Sequence, residues 1–368
     1  MQNGQSGSKM NILLVTLEYL PPLTSGNGVY ANAVASALKK LHRVKVVTAS
    51  HVEATSPPEV HPVLVSSKRT LEDAGNVEFV LKGLKEVEAL SAFNPSLALG
   101  IDWHSAPICT ALAKTCGCKF IFMPFRIFSY SYKSIFIRKL EELGANYADA
   151  IIALSEVDAR LMKEFFGRTA TIINPPVNVQ GLNKKKRDII LTISRVSPEK
   201  RIEKLVCALP KVDSSLSLVI AGHIYSEPYL RELKELSIKL GVENRVTFTG
   251  SLPQPQLWKL YSEAKIYVSP SKYEPFGLSI AEAAALGLPV IMDSSGMVGA
   301  GELLEDKKSC LKVDVSNEEE LADAINLLAR NPKLSKTIGR NARKAALKLS
   351  KSSFSAEINK FIWSIVNS

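Results

Sequence analysis

Apolar residues in this chain come in short unbroken runs, each followed by a polar loop and then by a stretch in which apolar positions recur every three or four residues. The first run, Asn11-Ile-Leu-Leu-Val-Thr16, has the pattern of a strand covered on both faces, as at the centre of a parallel sheet. A loop with Pro21, Pro22, Gly26 and Gly28 follows, then a helical pattern from about Val29 to Lys40 and a strand pattern at Val44–Thr48. The same order continues through Leu97–Gly100, a helix over Pro107–Thr115, Phe120–Phe122 and Ala150–Ala153. After Ile172-Ile-Asn-Pro-Pro-Val177 the chain enters Lys184-Lys-Lys-Arg-Asp188. Two prolines and a cationic run without apolar periodicity read as a linker.

A second series starts at Asp188-Ile-Ile-Leu-Thr-Ile193. It runs through a helix at Ile202–Leu209, Leu216–Ile220, Ala221-Gly222, a helix near Pro228–Leu240, Val246–Phe248, Lys265–Val268, Pro289–Ile291 and a helix near Glu318–Ala329. Alternation of this kind, twice over, predicts an α/β protein of two Rossmann-like, doubly wound parallel-sheet domains. The expected divisions are a flexible polar tail at 1–10, an N-terminal domain at 11–180, a C-terminal domain at 186–350 and a final helix at 351–368. That last segment is amphipathic (Phe354, Ile358, Phe361, Ile362, Val366) and is expected to pack back on the N-terminal domain. Ligands of such sheets bind beyond the carboxyl ends of the strands, so two domains facing each other place a site in the cleft between them.

Composition narrows the classes. With 368 residues, 46% of them hydrophobic, the chain can form two cores. No apolar run is long enough to span a bilayer, and residues 1–10 lack the apolar stretch of a signal peptide. The five scattered cysteines, with Cys116-Gly-Cys118 lacking a second pair, indicate reduced thiols in a cytoplasmic protein and no metal site. The net charge of +10 is mostly interleaved with acids, as in Lys307-Lys308 beside Glu305-Asp306, which reads as a solvated surface with no nucleic-acid partner. The segment 119–139 differs: its basic residues stand without acids among Phe125, Phe128, Tyr130, Tyr132, Ile135, Phe136 and Ile137. Rings and cations together suit a bilayer interface, or else a core flanked by the rim of a site.

Candidate chemistry concentrates in Ser269-Pro-Ser-Lys-Tyr-Glu-Pro-Phe-Gly-Leu-Ser-Ile-Ala-Glu282. Glu274 and Glu282 lie eight positions apart, within about 80° on a helical wheel, with Glu274 expected in the loop and Glu282 two turns down. A helix opening after a strand offers free amides to an anion, while carboxylates accept hydrogen bonds from hydroxyl groups. A nucleotide sugar carries both kinds of group. Arg195 and Lys200, in Ser194-Arg-Val-Ser-Pro-Glu-Lys200, follow a central strand. They suit a diphosphate there and could stabilise a departing one without a metal, although Ser197-Pro-Glu-Lys could equally be a helix start. Gly26 and Gly28 could let backbone approach phosphate, or merely serve a tight turn. Gly222-His223 follows another strand. Asp102 and His104 follow Leu97–Gly100 and could accept a proton or touch an acceptor, or cap the next helix.

Together these residues resemble the family 4 glycosyltransferases, retaining enzymes of GT-B fold, over Asn11 to Ser355 and most specifically from Ser194 to Pro289. The resemblance implies that Glu274 contacts donor-sugar hydroxyls beneath the reacting carbon, that Glu282 holds the ribose, and that Phe276-Gly277-Leu278 supplies backbone contacts. It also implies that Arg195 and Lys200 bind the donor diphosphate, with Gly26, Gly28 and Gly222 around the donor. Further matches are Val246-Thr-Phe-Thr-Gly250, Ser269-Pro-Ser271, Gly287-Leu-Pro-Val290 and Phe354-Ser355. Two positions depart from the pattern. Ser25-Gly26 stands where the family often has Gly-Gly, and Met123-Pro-Phe-Arg126 puts Phe125 or Arg126 where many members carry a His at the donor sugar.

The resulting expectation is a retaining hexosyltransferase, such as a mannosyltransferase, in the cytoplasm or at the cytoplasmic membrane face. It would move a hexose from a UDP- or GDP-sugar to a hydroxyl of a glycan or lipid-linked acceptor, with no cofactor. The alternatives are a non-catalytic sugar-nucleotide or glycan-binding partner subunit and a GT-B nucleotide-sugar epimerase.

Overall fold

The first apolar run is flanked by parallel partners on both sides, which is why it carries no polar alternation. In a computed structural model of the chain, residues 9–19, 25–51, 57–66, 73–177, 179 and 185–368 are described. Residues 1–8 of the expected tail, Pro21 and Pro22, and Lys184 of the expected linker lie outside them. The chain divides into two units, residues 1–175 with 351–368, and residues 176–350.

The first unit holds β1 (Asn11–Val15), β2 (Arg43–Ser50), β3 (Val60–Leu64), β4 (Leu97–Ile101), β5 (Lys119–Met123), β6 (Ala150–Ala153) and β7 (Thr171–Ile172). Their order across the sheet is β3-β2-β1-β4-β5-β6-β7, with Leu13 beside Lys45 on one side and Ala98 on the other. All of these pairs are parallel. The chain winds outward from β1 in one direction and from β4 in the other, so the order reverses between β1 and β4.

The second unit repeats the plan with β8 (Ile189–Ile193), β9 (Ser217–Ala221), β10 (Val246–Gly250), β11 (Ile266–Ser269), β12 (Val290–Asp293) and β13 (Leu311–Val313). Their order is β10-β9-β8-β11-β12-β13, and the reversal falls between β8 and β11. A core including Leu218, Ile220, Val268 and Ile291 lies on one face. A second including Leu191, Tyr267, Val290 and Met292 lies on the other, as alternate positions along each strand require. The GT-B fold class, two doubly wound parallel sheets, is thus present.

The strands not foreseen are the edge ones. Val60-His-Pro-Val-Leu64 contains a proline, which an edge strand accommodates because one side needs no donor, and β7 and β13 have only two and three residues. Helices Ile135–Tyr147 and Pro332–Ala346 were also unforeseen. The first was masked by its aromatic and basic residues, the second by a buried face of small residues, Gly339, Ala342 and Ala346 beside Ile338.

The final helix, Lys351–Val366, belongs to the first unit. Ser355 Oγ and Asn359 Nδ2 each donate to the Ala37 carbonyl at 3.3 Å, and the Phe354 ring meets Tyr30 edge-on at 6.2 Å.

In the second unit, helix Pro332–Ala346 packs on helix Leu278–Ala285 and the turn after it. A Cβ built on Gly339 would stand 2.1 Å from the Gly287 carbonyl oxygen, so only glycine permits this approach. Gly339→Ala should therefore force the helix outward and lower stability by roughly 1–3 kcal/mol. The measurement is the urea midpoint at unchanged m-value, and an unshifted midpoint would refute the close contact.

Candidate functional site

In the second unit the loops leaving β8 and β11 meet where the strand order reverses, the position at which open α/β sheets bind ligands. The first of these loops carries Arg195 and Lys200. Gly222, with φ +144°, lies against it: a Cβ there would sit 2.0 Å from the Ser194 carbonyl oxygen. The Val196 N–H donates to the His223 carbonyl at 2.8 Å. Gly222 and His223 thus act in this structure as the bed of the Arg195 loop.

Pro198–Lys200 forms one 3₁₀ turn ended by Arg201 at φ +55°. This turn, and not the start of a longer helix, aims Lys200 inward. Its Nζ lies 2.7 Å from Glu274 Oε1, and the two side chains are only 11% and 13% exposed. Arg195 pairs with Glu199 at 3.1 Å, and its guanidinium lies over the Tyr225 ring, 4.9 Å from the centroid. Burial raises the Glu199 carboxyl, but the charges of Arg195 and Lys200 and its own hydrogen bonds outweigh this and hold it below its ordinary value.

Glu274 precedes the helix. Helix Leu278–Ala285 begins only after Gly277, which sits at φ +89°, so the helical-wheel relation does not place Glu274. Backbone pairing places it instead: Glu274 N–H donates to the Met297 carbonyl, Gly299 N–H to the Glu274 carbonyl (both 3.0 Å), and Ala300 N–H to the Phe276 carbonyl at 2.6 Å. The buried Phe276 ring anchors the loop. Gly277 gives its helix no side-chain cap, which leaves first-turn amides and the positive dipole end beside Glu274.

Glu282 lies just over one turn into this helix, not two, because the helix starts at Leu278, and it is half-buried. Tyr261 Oη donates to its Oε2 at 2.9 Å. Burial pushes the carboxyl up to about 7, against the lowering effect of that hydrogen bond.

In the first unit the reversal between β1 and β4 is organised by Asp102, buried and at φ +61°. Its Oδ1 accepts the N–H groups of Phe125 at 2.6 Å and Arg126 at 3.2 Å, and its Oδ2 accepts Asn27 Nδ2 at 2.5 Å. Burial pushes this carboxyl up to about 7, with Glu141 adding to the rise and the donors opposing it. One carboxylate, itself in the loop after β4, thereby ties the start of helix Gly26–Leu38 to the loop after β5.

His104 is buried, and its Nε2 accepts the Leu17 N–H at 3.1 Å. Burial lowers its imidazolium to about 3, so the ring is neutral and packs against Trp103 and Phe79. Arg126 is buried, with Nε donating to Ser131 Oγ at 3.0 Å, while Phe125 packs on Tyr30 at 5.8 Å.

Gly26 and Gly28 fall inside helix Gly26–Leu38, neither with positive φ. Ser25 caps this helix, accepting from Gly28 N–H, and Glu18 accepts both the N–H and the hydroxyl of Ser25. The protein's own groups thus occupy amides that the sequence offered to phosphate.

Sequence reasoning missed Asn27, Glu199, Tyr225 and Tyr261. Tyr261 comes from helix Gln254–Glu263, which the sequence reading did not include, and nothing local links it to a carboxylate 21 positions on.

A family profile described as glycosyl transferases group 1 matches residues 177–345, which covers Arg195, Lys200, Glu274 and Glu282. The chain is 25% identical to an uncharacterised glycosyltransferase of Methanocaldococcus jannaschii over 91% of this chain and 93% of that one. A GDP-mannose-dependent alpha-(1-6)-phosphatidylinositol monomannoside mannosyltransferase of Mycobacterium tuberculosis is 32% identical over 38% of each chain. Among solved structures, sucrose-phosphate synthase from Thermosynechococcus elongatus superimposes with a TM-score of 0.85 at 20% identity, covering 97% of this chain and 99% of that one. Over residues 177–345, which hold the Lys200–Glu274 pair, the chain is thus similar to the group 1 glycosyltransferases.

Proposed function

We propose that the protein is a retaining hexosyltransferase that takes a hexose from a nucleoside-diphosphate sugar to a hydroxyl of a glycan or lipid-linked acceptor. The observation that carries this reading is the 2.7 Å contact of Lys200 with Glu274 beside an uncapped helix start. A cation for phosphate and a carboxylate for sugar hydroxyls there adjoin each other. As the bond from anomeric carbon to phosphate oxygen breaks, charge grows on the leaving diphosphate. Arg195, Lys200 and the amides of Gly277 and Leu278 stabilise that charge, and no metal is required. Glu274 orients the donor sugar and Glu282 accepts the ribose hydroxyls. The leaving phosphate takes the acceptor's proton on the same face, which accounts for Phe125 and Arg126 standing where relatives carry His.

Phosphatidylinositol mannoside is the acceptor in the name of the mycobacterial relative, and an acceptor of that kind lies at a bilayer. Tyr130, Tyr132, Ile135 and Phe136 are exposed in the first unit, beside exposed Lys133, Arg138 and Lys139. Buried Glu141 holds the start of this segment, accepting the N–H groups of Phe128 at 2.6 Å and Ser129 at 2.8 Å. We assign this segment a peripheral contact with lipid.

Turnover of radiolabelled UDP- and GDP-sugars, alongside a thermal-shift panel of nucleoside diphosphates, tests the reading. Lys200→Met and Glu274→Gln should each slow transfer by roughly 10²–10³-fold. Each should also lower stability by about 3 kcal/mol, because the remaining buried charge loses its close counter-ion. An unaltered rate in Glu274→Gln overturns its role, and stabilisation by nucleotide without turnover favours a non-catalytic binding subunit.

The raised Glu282 carboxyl sets a pH dependence. Between its ordinary value of 4.5 and about 7 the folded chain holds a proton that the unfolded chain has released, so stability falls as pH rises through that window. Nucleotide binding runs the other way, because the accepting carboxylate accumulates as pH passes about 7. Affinity for the nucleoside diphosphate should tighten from about pH 6 to about pH 8 in the native chain and stay flat in Glu282→Gln. Parallel profiles for the two proteins would rule out Glu282 as the nucleotide anchor.

A further inference from the structure

The surplus positive charge of this chain is not spread evenly, contrary to what its interleaved charges elsewhere led us to expect. Residues 331–356 contain seven basic residues and no acid, and most of them fall on helix Pro332–Ala346. Ile338, Gly339, Ala342 and Ala346 form its buried face. At 100° per residue, Lys333, Lys336, Arg340, Arg343 and Lys344 occupy an arc of about 100° on the opposite side. All five are exposed, and none takes part in an ion pair among the described residues. Lys348 and the 54%-exposed Leu347 continue the stripe past the helix end.

An ordinary solvated helix mixes its signs, since like charges three or four residues apart repel and opposite ones attract. Helix Glu227–Lys239 of the same unit does so, with Glu232 and Glu235 among Arg231, Lys234 and Lys239. The helix dipole favours Arg343 and Lys344 in the last turn, but among the described residues no acidic side chain pairs with the stripe. A partner of opposite charge would.

We infer that the outer face of helix Pro332–Ala346 is a docking surface for an anionic lipid bilayer. Five cations on one side of a straight helix meet a plane of phosphate headgroups together, and a cluster of this size on an amphipathic helix suits anionic lipid. Exposed Leu347 at the end adds an apolar group that can enter the headgroup layer. A nucleic acid fits less well: the stripe has no aromatic side chain on which a base could stack. This surface lies in the second unit and is separate from the aromatic segment of the first. It does not depend on the donor chemistry proposed above.

The test is flotation of the full chain with vesicles of phosphatidylcholine alone and of phosphatidylcholine with roughly one-third phosphatidylglycerol. Arg340→Gln/Arg343→Gln/Lys344→Gln should lower partitioning onto the anionic vesicles by roughly a hundredfold, with an unchanged melting temperature. The control Arg231→Gln/Lys234→Gln/Lys239→Gln removes the same charge from an exposed face elsewhere in the unit and should change partitioning by no more than a few-fold. Neither variant nor the native chain should be drawn to the stripe by neutral vesicles. Tyr132→Ser/Phe136→Ser on the same vesicles reads the segment of the first unit separately, so either surface can fail alone. Equal loss in the two triple variants, retention by the stripe variant, or tighter binding to duplex DNA than to anionic vesicles in the same buffer would overturn the inference.

Discussion

Two loops 74 positions apart in sequence are joined by one ion pair, Lys200 with Glu274, and the candidate site depends on it. A sheet wound outward in both directions from its middle sends the chain to opposite faces after β8 and β11, leaving the carboxyl ends of those strands uncovered. Groups placed there are neither in the core nor fully in water. In that position a lone cation or carboxylate is poorly solvated, and each makes the other tolerable. Backbone pairing of 274–276 with 297–300 and the fit of Gly222 against Ser194 then hold the two loops in place. On the proposed reading, a diphosphate arriving beside Lys200 meets a cation only 11% exposed, with little side-chain ordering left to do.

The first unit meets the same topological opening with a different solution. Asp102, at positive φ, joins the start of helix Gly26–Leu38 to the loop after β5 through one carboxylate. Because it takes the amides of both Phe125 and Arg126, neither backbone N–H is left for a ligand. His104 is likewise committed, its Nε2 engaged by backbone. The residues that looked chemically active in this unit therefore build the opening more than they furnish it.

What could be read from sequence followed the strength of the local signal. β1, β4, β8, β9 and β11 are continuous apolar runs, so their existence and the two-sheet class were legible. β3, β7 and β13 were not, because an edge strand buries less and needs no such run. The spacing of Glu274 and Glu282 was legible, but its helical interpretation was not, since Pro275 and the positive φ of Gly277 delay the helix to Leu278. The glycines of the first loop misled for a related reason: Gly26 and Gly28 are helical, and the cap is Ser25. Contacts such as Tyr261 with Glu282 or Asn27 with Asp102 leave no trace along the chain, because they join elements that only packing brings together. Helix Pro332–Ala346 went unread because its buried face is made of small side chains, which a search for large apolar residues passes over.

That same helix is fastened to its neighbour by the approach of Gly339 to the Gly287 carbonyl, and of its cations only Arg343 reaches the edge of that contact, its Cδ 3.9 Å from where a Cβ on Gly287 would stand. The attachment rests on backbone and small residues, the outer surface on long charged side chains. Sequence drift can rewrite the outward positions from basic to acidic or neutral without disturbing the helix that bears Glu282, whereas positions 287 and 339 can barely vary. Chains that keep this helix packing are thus free to differ in what this face meets.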